Sequence, residues 1–471
     1  MIIEQIYTGC LAQGAYYIES DGEAAIIDPL REVQLYIDRA SKNNAKIKYI
    51  FETHFHADFV SGHVTLAEKT GAPIIYGPNA NPTFDTHIAK DGEIFKLGKI
   101  TITALHTPGH TMESTTYLLK DESGKDHAIF SGDTLFLGDV GRPDLAQKAA
   151  SLTQEELAAT LYHSLRNKIM PLADDVIVYP AHGAGSACGK NLSKETVGTL
   201  GEQKQTNYAL RADMTEAEFV KEVTDGLLPP PAYFPLNVKL NKEGYESVEN
   251  IIRKSKPLTP KDFIALAEES GALILDVRPG ADFASGHIPG SIFIGLDGQF
   301  APWVGALITD IRQPILIVAP QDREEECIIR LSRVGYDNSL GYLKGGFEAW
   351  KANNREYDKI QQITAQEMEQ KLNSEEIAIF DVRKPGEYNN SHINYKKLSH
   401  VPLDFINQHL AEFPRSQPFY IHCAGGYRSL IAASILKARG YHNMIDVIGG
   451  FGAIKKTGIP LISEESCSTS I

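Results

Sequence analysis

The stretch LILDVRPGADFASGHIPGS, beginning at Leu273, returns as AIFDVRKPGEYNNSHINYK from Ala378, so that Asp276 and Asp381, like His287 and His392, stand 105 positions apart. KGGFEAW at Lys344 and IGGFGAI at Ile448 continue the correspondence one position out of register. Two copies of one domain are the economical explanation. Each copy places an apolar strand before DVR, a second one later (PILIVAP and PFYIHC), and helical segments between. Strands alternating with helices predict a small parallel-sheet α/β domain in each copy.

The repeats occupy only the second half of 471 residues, a length that suits roughly two to four domains. Lys and Arg total 46 against 60 Asp and Glu, a net charge of -14, so the basic footprint that nucleic acid or an anionic membrane would attract is missing. The start, MIIEQIYTGC, has no basic region followed by a long apolar stretch, and no segment approaches a membrane span. A cytoplasmic protein is expected. Cys10, Cys188, Cys327, Cys423 and Cys467 are scattered and odd in number, which fits reduced thiols better than a disulfide framework. In such a compartment the sequon at Asn191 carries no meaning.

In the first two hundred residues four apolar runs end at metal-binding side chains: KYIFETH, ITITALHTPGH, AIFSGD and DVIVYPAH. Strand ends gather at one edge of a sheet, so His54, His110, Asp133 and His182 are expected to be neighbours. MTEAEFVKEV then predicts a helix with a capping box between Thr215 and Glu218. LLPPPAYFP ends it, because successive prolines favour an extended connector.

FETHFHADFVSGH, residues 51 to 63, packs His54, His56, Asp58 and His63 into ten positions. Imidazole and carboxylate donors without a nearby thiolate suit zinc, iron or manganese. His63 is better read as a helix-start residue packed beside Gly62. Together with TPGHT, SGDTLF and YPAHG, the pattern resembles the metallo-β-lactamase superfamily, in its glyoxalase II-like and persulfide dioxygenase branch, over roughly residues 1 to 200.

That resemblance implies an αββα sandwich. In dinuclear hydrolases of the superfamily a histidine follows the motif aspartate and helps hold a second zinc; here Phe59 stands there, so a single metal is expected. By resemblance to the persulfide dioxygenases it is Fe(II), one per chain, held by His54, His110 and Asp133 with open positions for sulfur and O2. His56, Asp58 and His182 then orient ligands and water by hydrogen bonds. Arg142, in GDVGRPDL, suits a carboxylate or phosphate of a thiol carrier, or else pairs with Asp144 or Asp139. Cys188, close behind His182, either meets a thiol substrate or is simply buried.

In the second repeat IHCAGGYRS puts Cys423 between a strand and a helix N-terminus, in a glycine-bearing loop with Arg428 nearby. Backbone N–H groups and a cation stabilise a sulfur anion there. The loop, with DVR and SHI, resembles the rhodanese active site, with Cys423 as nucleophile. In the first repeat Ala319 or Pro320 takes that place, and Asp322, Glu324, Glu325 and Glu326 would repel an anionic persulfide. Cys327 falls a turn inside the next helix, where packing explains it.

The expected organisation is a metal domain over 1–200, a helical extension and linker over 201–257, an inactive rhodanese-like domain over 258–355, an active one over 360–462, and a tail over 463–471. As a whole the chain resembles the multidomain bacterial persulfide dioxygenase-sulfurtransferases. That implies oxidation of a low-molecular-weight persulfide by O2 to sulfite, with Cys423 passing sulfur on to give thiosulfate, in sulfide detoxification. It also favours a homo-oligomer with no nucleic-acid or membrane partner. The alternative is a glyoxalase II-like dinuclear zinc thioesterase with accessory rhodanese domains.

Overall fold

A computed structural model describes residues 1–463 apart from Asn191 and Leu228. Cys467, most of the expected tail and the sequon asparagine lie outside the described residues. The chain divides into two compact units, Met1–Asn250 with Leu331–Tyr336, and Ile251–Arg330 with the residues from Asp337 onward.

The first unit is built on two six-stranded sheets. One runs in the order Ile2–Thr8, Gln13–Ser20, Glu23–Ile27, Lys46–Phe51, Ile74–Tyr76, His87–Ile88; the other in the order Gly198–Thr199, Ile177–Pro180, Asp126–Gly132, Thr115–Lys120, Ile100–His106, Ile94–Leu97. Alternate side chains of both, including Tyr16, Ile18, Ile27, Phe51, Ile102, Tyr117 and Phe130, meet in one buried core between the sheets. The opposite face of the first sheet packs Ile26, Ile47 and Ile50 with Val33, Tyr36 and Leu66, which come with the helices Gln34–Lys42 and His63–Thr70. The opposite face of the second buries Leu118, Ile129 and Val178 against Leu157, Leu161 and Phe219 of the helices Gln154–Ser164 and Glu216–Thr224. The layers are therefore αββα, because a strand that is apolar on both faces must be covered on both.

Two sequence expectations change in detail. The four ligand-bearing runs do not end on one sheet: Lys46–Phe51 belongs to the first sheet and the other three to the second, so the site sits at the mouth of the sandwich. The proline-rich connector gives way to helix sooner than expected, for Phe234–Glu243 is helical with Pro235 in its first turn. A first-turn proline lacks an N–H that would be unpaired anyway. The capping box at Thr215 forms as the spacing predicts, with the Glu218 N–H donating to Thr215 Oγ1 and the Thr215 N–H to Glu218.

In the second unit the two repeats share one topology. The first sheet is ordered Lys256–Leu258, Ser339–Leu343, Ile315–Val318, Leu273–Asp276, Ile292–Phe293; the second Gln361–Ile363, Met444–Val447, Phe419–His422, Ala378–Asp381, Leu398–His400, and all neighbours are parallel. Asp276 pairs with Val318 as Asp381 pairs with His422, which places Ala319, rather than Pro320, opposite Cys423. Arg278 and Arg383 each clamp the aspartate of their own DVR and lie over Phe347 and Phe451, at 4.2 and 3.8 Å from the ring centres. The DVR signature is thus a buried ion pair capped by an aromatic face. A strand Leu461–Ser463 pairs with Ser391–Ile393, so folded chain reaches Ser463. Among the described residues no helix is long and apolar enough to cross a membrane.

Candidate metal centre and sulfur-transfer loop

At the mouth of the sandwich His54, His110 and Asp133 offer one ligand atom each, all within 4.8 Å of one another, and His56, Asp58 and His182 do the same. All six are buried. The sheets approach closely here: Gly132, just before Asp133, has φ +53°, and a Cβ on it would lie 2.6 Å from the Thr53 side chain. Glycine is required on both counts.

Each ring that faces the centre is fixed from behind. His110 Nδ1 lies 2.8 Å from the Arg142 carbonyl and His182 Nδ1 3.2 Å from the Ala12 carbonyl. A carbonyl only accepts, so in the neutral ring Nδ1 carries the proton and Nε2 the lone pair. His54 Nδ1 lies 3.0 Å from Thr53 Oγ1, whose hydroxyl donates to Asp28 Oδ2 at 2.8 Å. With its single proton given away, Thr53 accepts from His54 Nδ1–H. Burial, then the neighbouring His56, His110 and His182, hold His54 well below the ordinary histidine range, so it is neutral.

The freed nitrogens converge on one carboxylate. Asp133 Oδ2 is 3.9 Å from His54 Nε2 and 3.3 Å from His110 Nε2, while Oδ1 is 3.5 Å from His182 Nε2. Neither Asp133 oxygen has a hydrogen-bond partner, nor has His182 Nε2 or Asp58 Oδ1. Buried lone pairs facing one another are costly without a cation among them, so the donor set fits a metal.

His56 is turned to a different task. Its Nε2 lies 3.1 Å from Asp28 and 3.5 Å from Glu52. Burial opposes its charge, but Asp28, Glu52 and Asp58 together push it up to about 9. Phe59 is fully buried with its ring centre 4.3 Å from that of His56, and so presents no donor. His63 opens the helix His63–Thr70 after Gly62, 3.4 Å from Glu52, as a packed residue. Arg142 closes its fork on Asp144 with two contacts of 2.7 Å, one of the pairings its neighbours suggested. Cys188 is buried with its sulfur within 4.8 Å of the ligand atoms of Asp133 and His182.

Sequence reasoning missed Asp28, Glu52 and Asn241. Asn241 donates to the carbonyls of His56 and Phe59 and accepts from the Ser61 N–H, holding the motif loop in shape. Asp28 alone leaves a signal, since it ends the apolar run AAII, as the ligands end theirs.

In the second repeat Cys423 follows the strand Phe419–His422 and is 1% exposed, and the Gly426 N–H donates to its sulfur at 3.1 Å. The helix Tyr427–Ala438 begins at once, aiming its N-terminus at the loop. Arg428, in the first turn, is held by both oxygens of Glu387 at 2.6 and 2.7 Å. In the first repeat, by contrast, Ala319 stands in a pocket of about 350 Å³ shared with Arg278, Gly346 and Phe347, and has no nucleophile to offer. Cys327 is buried in the helix Glu324–Arg333.

An αββα sandwich whose buried histidine and aspartate cluster could hold a metal is thus joined to two parallel-sheet domains, of which one carries a loop cysteine. Residues 8–182 match the metallo-beta-lactamase superfamily, and residues 259–353 and 364–457 each match the rhodanese-like domain. The mitochondrial persulfide dioxygenase ETHE1 of Homo sapiens is 30% identical over 221 residues, covering 46% of this chain and 78% of that protein. A probable hydroxyacylglutathione hydrolase, glo2, of Schizosaccharomyces pombe is 32% identical over 161 residues, covering 34% of this chain and 58% of that protein. A crystal structure of a metallo-beta-lactamase from Staphylococcus aureus superposes with a TM-score of 0.64 at 32% identity, covering 73% of this chain and 98% of its own. The chain belongs to the metallo-β-lactamase superfamily as a homologue of the ETHE1 persulfide dioxygenases, and carries two rhodanese-like domains in addition.

Proposed function

We propose that this protein oxidises a low-molecular-weight persulfide with O2 to sulfite and transfers sulfane sulfur at Cys423 to give thiosulfate. The observation that carries the reading is the asymmetry of the centre: three donors on one side, His54, His110 and Asp133, and a donor-free Phe59 ring where a dinuclear hydrolase has a histidine. His54, His110 and Asp133 would hold iron(II), which would supply O2 activation and open positions beside the sulfur, while the persulfide sulfur gives up the electrons.

The chain's own groups do the rest. Asp28 and Thr53 orient His54, the Arg142 carbonyl orients His110, and His182 with Asp58 can hold a water or a proton beside the substrate. The balance is persulfide plus O2 plus water to thiol, sulfite and two protons. At the loop, sulfite attacks the outer sulfur of a Cys423 persulfide; the S–S bond breaks, thiosulfate leaves, and the electron pair stays on Cys423 as thiolate. The Gly426 N–H and the helix N-terminus stabilise that thiolate, and Arg428 adds positive charge.

Anaerobically purified protein should carry about one iron per chain, and His54→Ala, His110→Ala and Asp133→Ala should each abolish persulfide-dependent O2 uptake. Similarity to a hydroxyacylglutathione hydrolase supports a second reading, thioester hydrolysis at two zinc ions. Two tightly bound zinc ions, thioester cleavage and no O2 uptake would establish that reading instead.

A further inference from the structure

The first repeat has a cavity where the second holds its sulfur loop. It measures about 350 Å³, and Arg278, Asp282, Ala319, Phe347, Glu348 and Lys351 are among the residues that line it. That volume lies in the range of about 300–1,000 Å³ usual for small-molecule sites. Ala319 stands in the place of Cys423, so this strand end forms no covalent bond to sulfur and can only recognise what enters.

The polar groups around the cavity differ from those of the second repeat at two points. In the second, Glu387 holds Arg428 with both carboxylate oxygens, and its carbonyl accepts from Arg383 Nη1 at 3.3 Å. Asp282 stands 105 positions before Glu387, but the helix Glu324–Arg333 opens on three glutamates where the other opens on Tyr427 and Arg428. Among the described residues the exposed Asp282 carboxylate has no hydrogen bond or ion pair. The Asp282 carbonyl accepts from Ser285 Oγ at 2.9 Å and from the Gly286 N–H at 3.2 Å, not from the arginine. Arg278 uses Nε and Nη2 on Asp276 and the Gly286 carbonyl, and its Nη1 has no partner among the described residues. The side chain is 7% exposed and lies 4.2 Å over the Phe347 ring centre, so this open donor is held in place at the cavity wall.

One carboxylate and one donor are thus left over. Asp276 neutralises Arg278, Lys351 pairs with Glu348 at 2.7 Å, and Asp282 remains. A sulfur oxyanion, which offers acceptors and negative charge alone, meets repulsion at Asp282. We propose that the first repeat binds the zwitterionic α-amino-acid end of a small molecule, with the ligand carboxylate accepting from Arg278 Nη1 and its ammonium facing Asp282. Both contacts are charge-assisted, the stronger kind of hydrogen bond. Two sources carry this chemistry, a free amino acid and the amino-acid end of a peptide-like thiol carrier. The inference does not depend on the reaction at the metal centre.

The probes are S-methyl-L-cysteine and S-methylglutathione, whose blocked sulfur cannot react with Cys423, titrated by calorimetry into full-length protein. About one probe should bind per chain. Binding of S-methyl-L-cysteine identifies a free amino acid as the ligand, and binding of S-methylglutathione alone identifies the peptide-like carrier. N-acetylation of the bound probe, or amidation of its α-carboxylate, should weaken it at least about tenfold. Asp282→Asn should weaken the unmodified probe as much and leave the N-acetyl form unaffected, thiosulfate should not compete, and Ala319→Met should block the cavity and abolish binding. The proposal is overturned if neither probe binds, if thiosulfate displaces the bound probe, if folded Ala319→Met binds as the parent does, or if Asp282→Asn changes neither the affinity nor the discrimination against the N-acetyl form. Should Ala319→Met misfold, the comparison in Asp282→Asn decides alone, because that side chain is exposed.

Discussion

Thr53 has one hydroxyl proton to give, and Asp28 takes it, which obliges the same oxygen to accept from His54. A single buried residue thereby decides which nitrogen of His54 faces the centre. Thr53→Val keeps the shape and deletes the relay, leaving Asp28 Oδ2 without its donor. Affinity for the metal should fall about 10–100-fold, read by chelator competition. The fold should lose about 1–3 kcal/mol in denaturant titration. An unchanged affinity would mean that packing alone orients His54. Nothing in THFH marks this role, for a threonine beside a histidine is ordinary and its partner lies 25 positions away.

At the scale of elements, the turn Gly449–Gly450 and the helix Tyr427–Ala438 shape the sulfur loop. Gly450 has φ +54°, and a Cβ on it would come 2.4 Å from the Cys423 carbonyl, while the Phe451 N–H donates to that carbonyl at 2.7 Å. Gly450→Ala therefore meets both strain and a clash, and should cost about 1–3 kcal/mol with loss of sulfur transfer and unaltered O2 uptake. Gly386, with nothing within 4 Å of its Cβ position, is the control, and Gly386→Ala should leave transfer intact. Equal loss in both variants would show that the turn does not position the loop. The first repeat has a part here although it lacks a loop thiol: the Gly295 carbonyl accepts from Tyr427 Oη at 2.8 Å, and Ser434 Oγ accepts from the Phe293 N–H at 3.0 Å. Its strand Ile292–Phe293 thus braces the helix that follows Cys423, a use for a nucleophile-free copy that no motif in it announces.

Over the whole molecule, the proposed function would put a sulfite-producing centre and a sulfur-carrying cysteine on one chain, where a tether can provide a roughly millimolar effective concentration for a shared intermediate. Cys423→Ser should keep persulfide-dependent O2 uptake and shift the product from thiosulfate to sulfite, because a serine hydroxyl cannot carry the persulfide. Cys327→Ser should leave the product ratio unaltered: burial, then Glu326, push that thiol far up, and it lies inside a helix. Chromatography of sulfite and thiosulfate after turnover checks both. Thiosulfate unchanged in Cys423→Ser would remove the second repeat from the reaction.

The sequence by itself determined what is local or repeated. The two rhodanese-like copies follow from a 105-position repeat, and the metal-type residues stand out because apolar strand runs stop at them. The missing nucleophile of the first copy is legible because a thiol is either present at a strand end or absent. Only the tertiary structure decided which sheet each ligand comes from, that Ala319 rather than Pro320 faces the place of Cys423, and that Arg142 is spent on Asp144. It alone brought Asp28 to Thr53 and Asn241 to a loop 182 and 185 positions away. The physical reason is that strand and helix patterns depend on neighbours within a few residues, whereas a buried polar atom finds its partner through the packing of distant elements, and nothing near it in the chain records the choice.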